Sequence, residues 1–193
     1  MTPKPFYERS EAERIALTEM SIDHGTTVLE RWTALAPVEA DPWSVRSQIA
    51  ARLLEGAKSV LDLGCGTMGL EKYIGAATYI PSDVTRRDDR TLVSDYNCDG
   101  APQVEAEASA VLGVLEYLHD PALFLSQLPT ERAVVSYCIT DAPGAMQPRK
   151  AHAWVNDFST DQVEAMFEFS RWTVETSEPV DQIQRIWLLR RSK

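Results

Sequence analysis

The stretch Ser59-Val60-Leu61-Asp62-Leu63-Gly64-Cys65-Gly66-Thr67-Met68-Gly69 constrains this chain more than any other. Its opening residues read as a buried strand, and the closely spaced glycines that follow bend the backbone where side chains would obstruct a ligand. Asp83 lies 19 residues after Gly64, at the end of the next apolar run, Tyr79-Ile80-Pro81. A strand, a bare-backbone bend and a carboxylate at that distance place the ribose of an adenosine compound at the carboxyl ends of two neighbouring strands.

The rest of the pattern fits that reading. Further strands are predicted at Thr91-Leu92-Val93, Ala108 to Gly113 and Ala133 to Tyr137, with two closing strands at Trp172-Thr173-Val174 and Ile183 to Leu189 joined through Pro179. Helical spacing marks Glu8 to Met20, Thr26 to Leu35 and the segment from Trp43 to Gly56, which starts at Asp41-Pro42. Shorter helices are expected at Leu70 to Ile74, after Asp120-Pro121 and at Phe158 to Phe167. Alternation of this kind predicts an α/β fold: a Rossmann-like, doubly wound, seven-stranded sheet, mostly parallel, with a C-terminal antiparallel hairpin and helices on both faces. The connections from Asp83 to Thr91 and from Tyr96 to Glu107 are too short for full crossover helices, so loops or stunted helices are expected there. At 193 residues the chain is read as one domain, with 1–56 a helical cap and 57–193 the binding core.

Charge and cysteine usage narrow the partners. Asp plus Glu number 29 against 19 Lys plus Arg, a formal charge of −10, which argues against nucleic acid, whose binding relies on neutralised phosphates. No apolar run approaches the length of a membrane span. Cys65, Cys98 and Cys138 lack metal-site spacing and match a reducing compartment, so a cytoplasmic protein without a metal is expected. Asp62 separates two classes of adenosine ligand. A carboxylate just before the glycine bend repels a pyrophosphate but attracts an ammonium or sulfonium.

With those residues in place, the sequence resembles class I S-adenosylmethionine-dependent methyltransferases. Val60 to Thr67 is similar to their first motif, Ser82-Asp83 to their acidic ribose position, and Gly113-Val114-Leu115-Glu116-Tyr117-Leu118-His119-Asp120-Pro121 to their fourth-strand motif. Val134 to Tyr137 resembles their fifth strand, and the likeness spans about residues 43–190. It implies S-adenosyl-L-methionine as cofactor, its methionine part lined by the turn Asp62, Gly64, Cys65 and Gly66, and its ribose held by Asp83. Asp95 with Tyr96 would sit beside the adenine, and Gly113 with the backbone of Val114 and Leu115 would border the methyl donor. One departure is that Met68 stands where the family's turn carries a third glycine.

The implied activity is methyl transfer to a small molecule, or to a sugar or peptide moiety, by in-line displacement. Positioning supplies most of the acceleration, and a base serves acceptors that arrive protonated. Candidate acceptor-side residues are Tyr137, Asp141, His152 and Asn156, with His152 best matched to a base near neutrality. Tyr7 and Trp43 are placed to close over the cofactor, or to pack in the core. A non-catalytic cofactor-binding scaffold and an NAD-dependent oxidoreductase are the alternatives. Monomer and homodimer both remain open.

Overall fold

A reciprocal cap starts the first helix. Ser10 Oγ accepts from the Glu13 N–H at 3.3 Å while Glu13 Oε2 accepts from the Ser10 N–H at 2.7 Å, so the computed structural model begins α1 (Glu11–His24) later than the expected Glu8. Residues 4–33, 43–145 and 147–193 are described. Gly25, at φ 63°, ends α1. Among the described residues of the helix expected over Thr26 to Leu35, only α2 (Glu30–Thr33) is helical; residues 34–42, Leu35 and Asp41-Pro42 among them, lie outside the described residues. α3 spans Ser44–Leu53. Residues Gly69–Lys72 form a 3-10 turn in place of the short helix expected at Leu70 to Ile74. α4 (Pro121–Ser126) is capped by Asp120, and α5 (Thr160–Phe169) by Ser159 with Gln162.

The strands are β1 (Ser59–Leu63), β2 (Thr78–Asp83), β3 (Leu92–Val93), β4 (Ala108–Leu112), β5 (Arg132–Cys138), β6 (Trp172–Pro179) and β7 (Gln184–Arg191). They form one seven-stranded sheet in the order β3-β2-β1-β4-β5-β7-β6. β1 to β5 pair in parallel, and β7 runs antiparallel between β5 and β6. The parallel sheet with a closing antiparallel hairpin is the expected architecture. No helix occurs between Asp83 and Leu92 or between Val93 and Ala108, as the short spacings require.

Alternation along the strands builds a core on each face. Val60, Ala108, Ala110 and Val134 pack with Ala50, Leu53 and Leu54 at the end of α3. Their neighbours Leu61, Leu63, Val111 and Val135 pack on the other face with Phe124 and Leu125 of α4 and Val163 and Phe167 of α5. The strand order reverses at β1 and β4, so a crevice opens beyond their carboxyl ends, the place where open α/β sheets bind ligands. No helix among the described residues is long and apolar enough to cross a membrane.

The N-terminal helix docks away from the sheet. Thr18 Oγ1 donates to the Lys150 carbonyl at 2.7 Å, and Phe6, Val28 and Ala153 form a small apolar cluster. α1 therefore rests on the 3-10 turn Arg149–His152, which forms one wall of the crevice.

Candidate active site

A cavity of about 310 Å³ occupies the crevice, bordered by the ends of β1, β2 and β4, the N-terminal segment and the turn after Arg149. Its floor is the glycine bend. Gly64 and Gly66 have φ of 75° and 52°, and a Cβ on Gly64 would collide with Val114 Cγ2. Met68 adopts φ 59°, ψ 28°, a left-handed backbone conformation that a glycine at this position would adopt without strain.

Tyr96 holds this bend from below. Its hydroxyl accepts from the Gly64 N–H at 3.0 Å and donates to Ser82 Oγ at 2.9 Å, while its ring packs on Phe124. Asp83, buried at the end of β2, accepts from the Gly66 N–H at 2.9 Å through Oδ2. Its Oδ1 takes the Thr85 N–H at 3.1 Å and Arg87 Nη2 at 3.0 Å. A carboxylate offers about four lone-pair sites, so Oδ2 keeps capacity for a further donor. Asp95 Oδ1 accepts from Thr27 Oγ1 at 2.6 Å and the Asn97 N–H at 3.1 Å.

Gly64, Cys65, Gly66, Asp83, Asp95, Tyr96, Gly113 and Val114 all line this cavity. Asp62 does not. It is 3% exposed and receives the Tyr79 hydroxyl at 2.6 Å, because the parallel pairing of β1 with β2 sets that phenol within reach. Burial raises its pKa to about 6, against the lowering effects of Tyr79 and Arg46. The expected direct contact between Asp62 and a cation is thus replaced by a carboxylate anchored behind the bend. Leu115 is also in the core, its carbonyl accepting from Asn156 Nδ2 at 2.7 Å.

Of the four acceptor-side candidates, only His152 borders the cavity. Asn156 Nδ2 donates to the Leu118 carbonyl at 2.9 Å as well as to that of Leu115, and its Oδ1 accepts from the Tyr137 hydroxyl. Tyr137 is fully buried: its hydroxyl donates to Asn156 Oδ1 at 2.7 Å and accepts from Arg149 Nη2 at 3.1 Å and the Phe158 N–H at 3.0 Å. Asp141 points at α5, accepting from the Thr160 N–H at 3.0 Å and Oγ1 at 3.1 Å. Neither borders the cavity, since inward-facing β5 side chains enter the core and the chain beyond β5 turns toward α5. His152 does border it, beside Trp154 at 5.4 Å between ring centroids. Burial, followed by the charges of Arg14, Arg31 and Arg149, lowers its pKa. Tyr7 and Trp43 line the cavity as well.

The cavity also contains charged residues that sequence reasoning missed. Arg46, on α3, sits against Gly113, where an added Cβ would lie 2.5 Å from its Nη1. Burial lowers its pKa, with Glu116 the first charge opposing that shift. Glu116 is 1% exposed. Its Oε1 accepts from the Cys138 N–H at 2.8 Å, whereas Oε2 has no hydrogen-bond partner among the described residues. Burial raises its pKa. Arg46 lay within a helical face whose apolar residues dominated the pattern, and Glu116 within a motif whose glycine carried the signal.

Comparison with known proteins places this architecture. No family model matches the sequence, and no curated protein sequence matches it. Among solved structures, the mitomycin 7-O-methyltransferase MmcR superposes with a TM-score of 0.66 at 18% identity, over 98% of this chain and 69% of that one. The fold is that of S-adenosylmethionine-dependent methyltransferases. The 1,6-didemethyltoxoflavin-N1-methyltransferase of Burkholderia thailandensis, solved with 1,6-didemethyltoxoflavin and S-adenosylhomocysteine, matches at TM-score 0.59 and 17% identity, over 100% of this chain and 93% of that one. The 16S rRNA methylase RmtB matches at 0.54 and 17%, over 93% and 75%. This methyltransferase fold therefore serves small molecules and RNA alike.

Proposed function

We propose that the chain is a methyltransferase that uses S-adenosyl-L-methionine to methylate a small molecule. The observation that carries this reading is the convergence, on one cavity, of the glycine bend, the Asp83 carboxylate and the Arg46 guanidinium. The residues present fit the cofactor. Asp83 Oδ2 has capacity for a ribose hydroxyl, and Asp95, whose Oδ1 is engaged, keeps Oδ2 for the adenine amino group. The bare Cα of Gly113 lets Arg46 approach to pair with the methionine carboxylate. Asp62 supports the bend from behind.

The bound cofactor supplies an electrophilic methyl group on a sulfonium. The chain positions the nucleophile in line with it and accepts the proton that the nucleophile loses. His152 is proposed for that proton, since its lowered pKa keeps the ring neutral near pH 7. With the cofactor bound, its methyl carbon would be transferred to the nucleophile, its sulfur would keep the electron pair of the broken bond, and the proton released by the nucleophile would pass to the His152 imidazole. An open cavity bordering His152 favours catalysis over a scaffold role. The formal charge of −10 favours a small acceptor over RNA, and the free cysteines favour a cytoplasmic setting. Within the expected cap 1–56, Tyr7, Arg31 and Trp32 act as the cover of this site, whereas α3 packs on the sheet.

Calorimetry with S-adenosylhomocysteine tests the assignment. The wild type is expected to bind it, and Asp83→Asn to bind at least tenfold more weakly, since a charge-assisted hydrogen bond contributes about 1.5–3 kcal/mol. Binding of NAD with no binding of S-adenosylhomocysteine would overturn the reading.

A further inference from the structure

Two guanidinium groups line the cavity without an ion pair or hydrogen bond to any described residue: Arg46 and Arg31. A methionine-derived cofactor carries only one carboxylate. Arg46 lies against Gly113 at the tip of β4 and accounts for it. Arg31 is left over, and its surroundings are distinctive. It sits 4.6 Å from the Tyr7 ring centroid and 4.5 Å from that of Trp32. Trp32 meets Tyr117 edge-on at 4.6 Å, and Trp154 with His152 completes the same wall. A guanidinium flanked by ring faces is shielded from water, which strengthens its pairing with a carboxylate. Flat ring surfaces around it suit a flat partner.

We infer that the methyl acceptor is an aromatic carboxylic acid, its ring system held by Trp32, Tyr117 and Trp154 and its carboxylate paired with Arg31. This deepens the methyltransferase reading and rests on it. The acid supplies the counter-charge that Arg31 lacks among the described residues, and the ring presents its nucleophilic substituent beside His152.

The test uses the full chain saturated with S-adenosylhomocysteine and three probes of matched ring size: 1-hydroxy-2-naphthoate, 1-naphthol and a naphthyl trimethylammonium salt, titrated by calorimetry. The naphthoate is expected to bind at least tenfold more tightly than the naphthol, with an affinity that falls as salt rises. Arg31→Gln is expected to erase that preference while leaving the affinity for S-adenosylhomocysteine within twofold. Equal binding of naphthoate and naphthol, tighter binding of the cation, no binding of any arene, or a preference that survives in Arg31→Gln would each overturn the inference. Should Arg31→Gln fail to fold, the wild-type probe series decides alone. Failure of S-adenosylhomocysteine to bind is a separate result, and it would overturn the methyltransferase reading itself.

Discussion

Asp62 and His152 show how the same force, removal from water, gives two residues different work. Asp62, with its pKa raised from 3.8 to about 6, binds its proton more tightly folded than unfolded. As pH rises through that window the unfolded chain releases the proton first, so stability falls from about pH 4 to pH 6 and stays lower above it. The penalty is on the order of 3 kcal/mol at about 1.4 kcal/mol per pH unit. Asp62→Asn keeps an acceptor for Tyr79 and removes the titration. Urea denaturation is therefore expected to show the variant gaining stability relative to wild type between pH 4 and pH 7. A flat difference would show that Asp62 does not titrate in that range. His152 is shifted downward, so its neutral form persists below pH 6.5. With any acceptor that is turned over, kcat/KM is expected to hold its plateau to a pH below that value, and His152→Asn to lose that limb with unchanged affinity for S-adenosylhomocysteine.

At the level of elements, caps and turns position the groups that line the crevice. Asp141 anchors the first turn of α5 through Thr160, so Asp141→Ala is expected to cost about 1 kcal/mol of stability and leave turnover unchanged. A loss of turnover at equal stability would restore it as an acid–base candidate. The strands were legible because parallel strands, buried on both faces, read as unbroken apolar runs such as Ala133-Val134-Val135. The glycine bend and its carboxylate were legible for a related reason: Gly64 and Gly66 follow one buried strand and Asp83 ends the next, so spacing along the chain brings them to the same crevice. The proposed acceptor wall was not. Trp32 at helical spacing reads as core, and Arg31 beside it as solvated surface. Only the docking of that segment against Tyr117 reveals a wall. Tyr137 failed as a candidate for the converse reason, because a strand position does not disclose which face its side chain takes.

For the whole molecule, binding at the crevice couples the sheet to the segment above it. Thr27 reaches Asp95, and His119 Nε2 lies 3.1 Å from the Thr26 carbonyl, so a ligand seated beside Asp95 stabilises contacts made by residues far apart in sequence. Ligand at a hundredfold excess over Kd stabilises a protein by about 2.7 kcal/mol, which for a chain of this size is a rise in Tm of roughly 5–10 °C. Differential scanning calorimetry is expected to record that rise with S-adenosylhomocysteine and none with NAD.

The partner of Thr18 is the carbonyl of Lys150, 132 positions later. On a ribosome, α1 emerges early and has nothing to dock against until the Arg149–His152 turn has been made. A nascent chain halted after β5 would therefore carry the glycine bend and the ends of β1, β2 and β4 beside an undocked α1, with α5, β6 and β7 still to come.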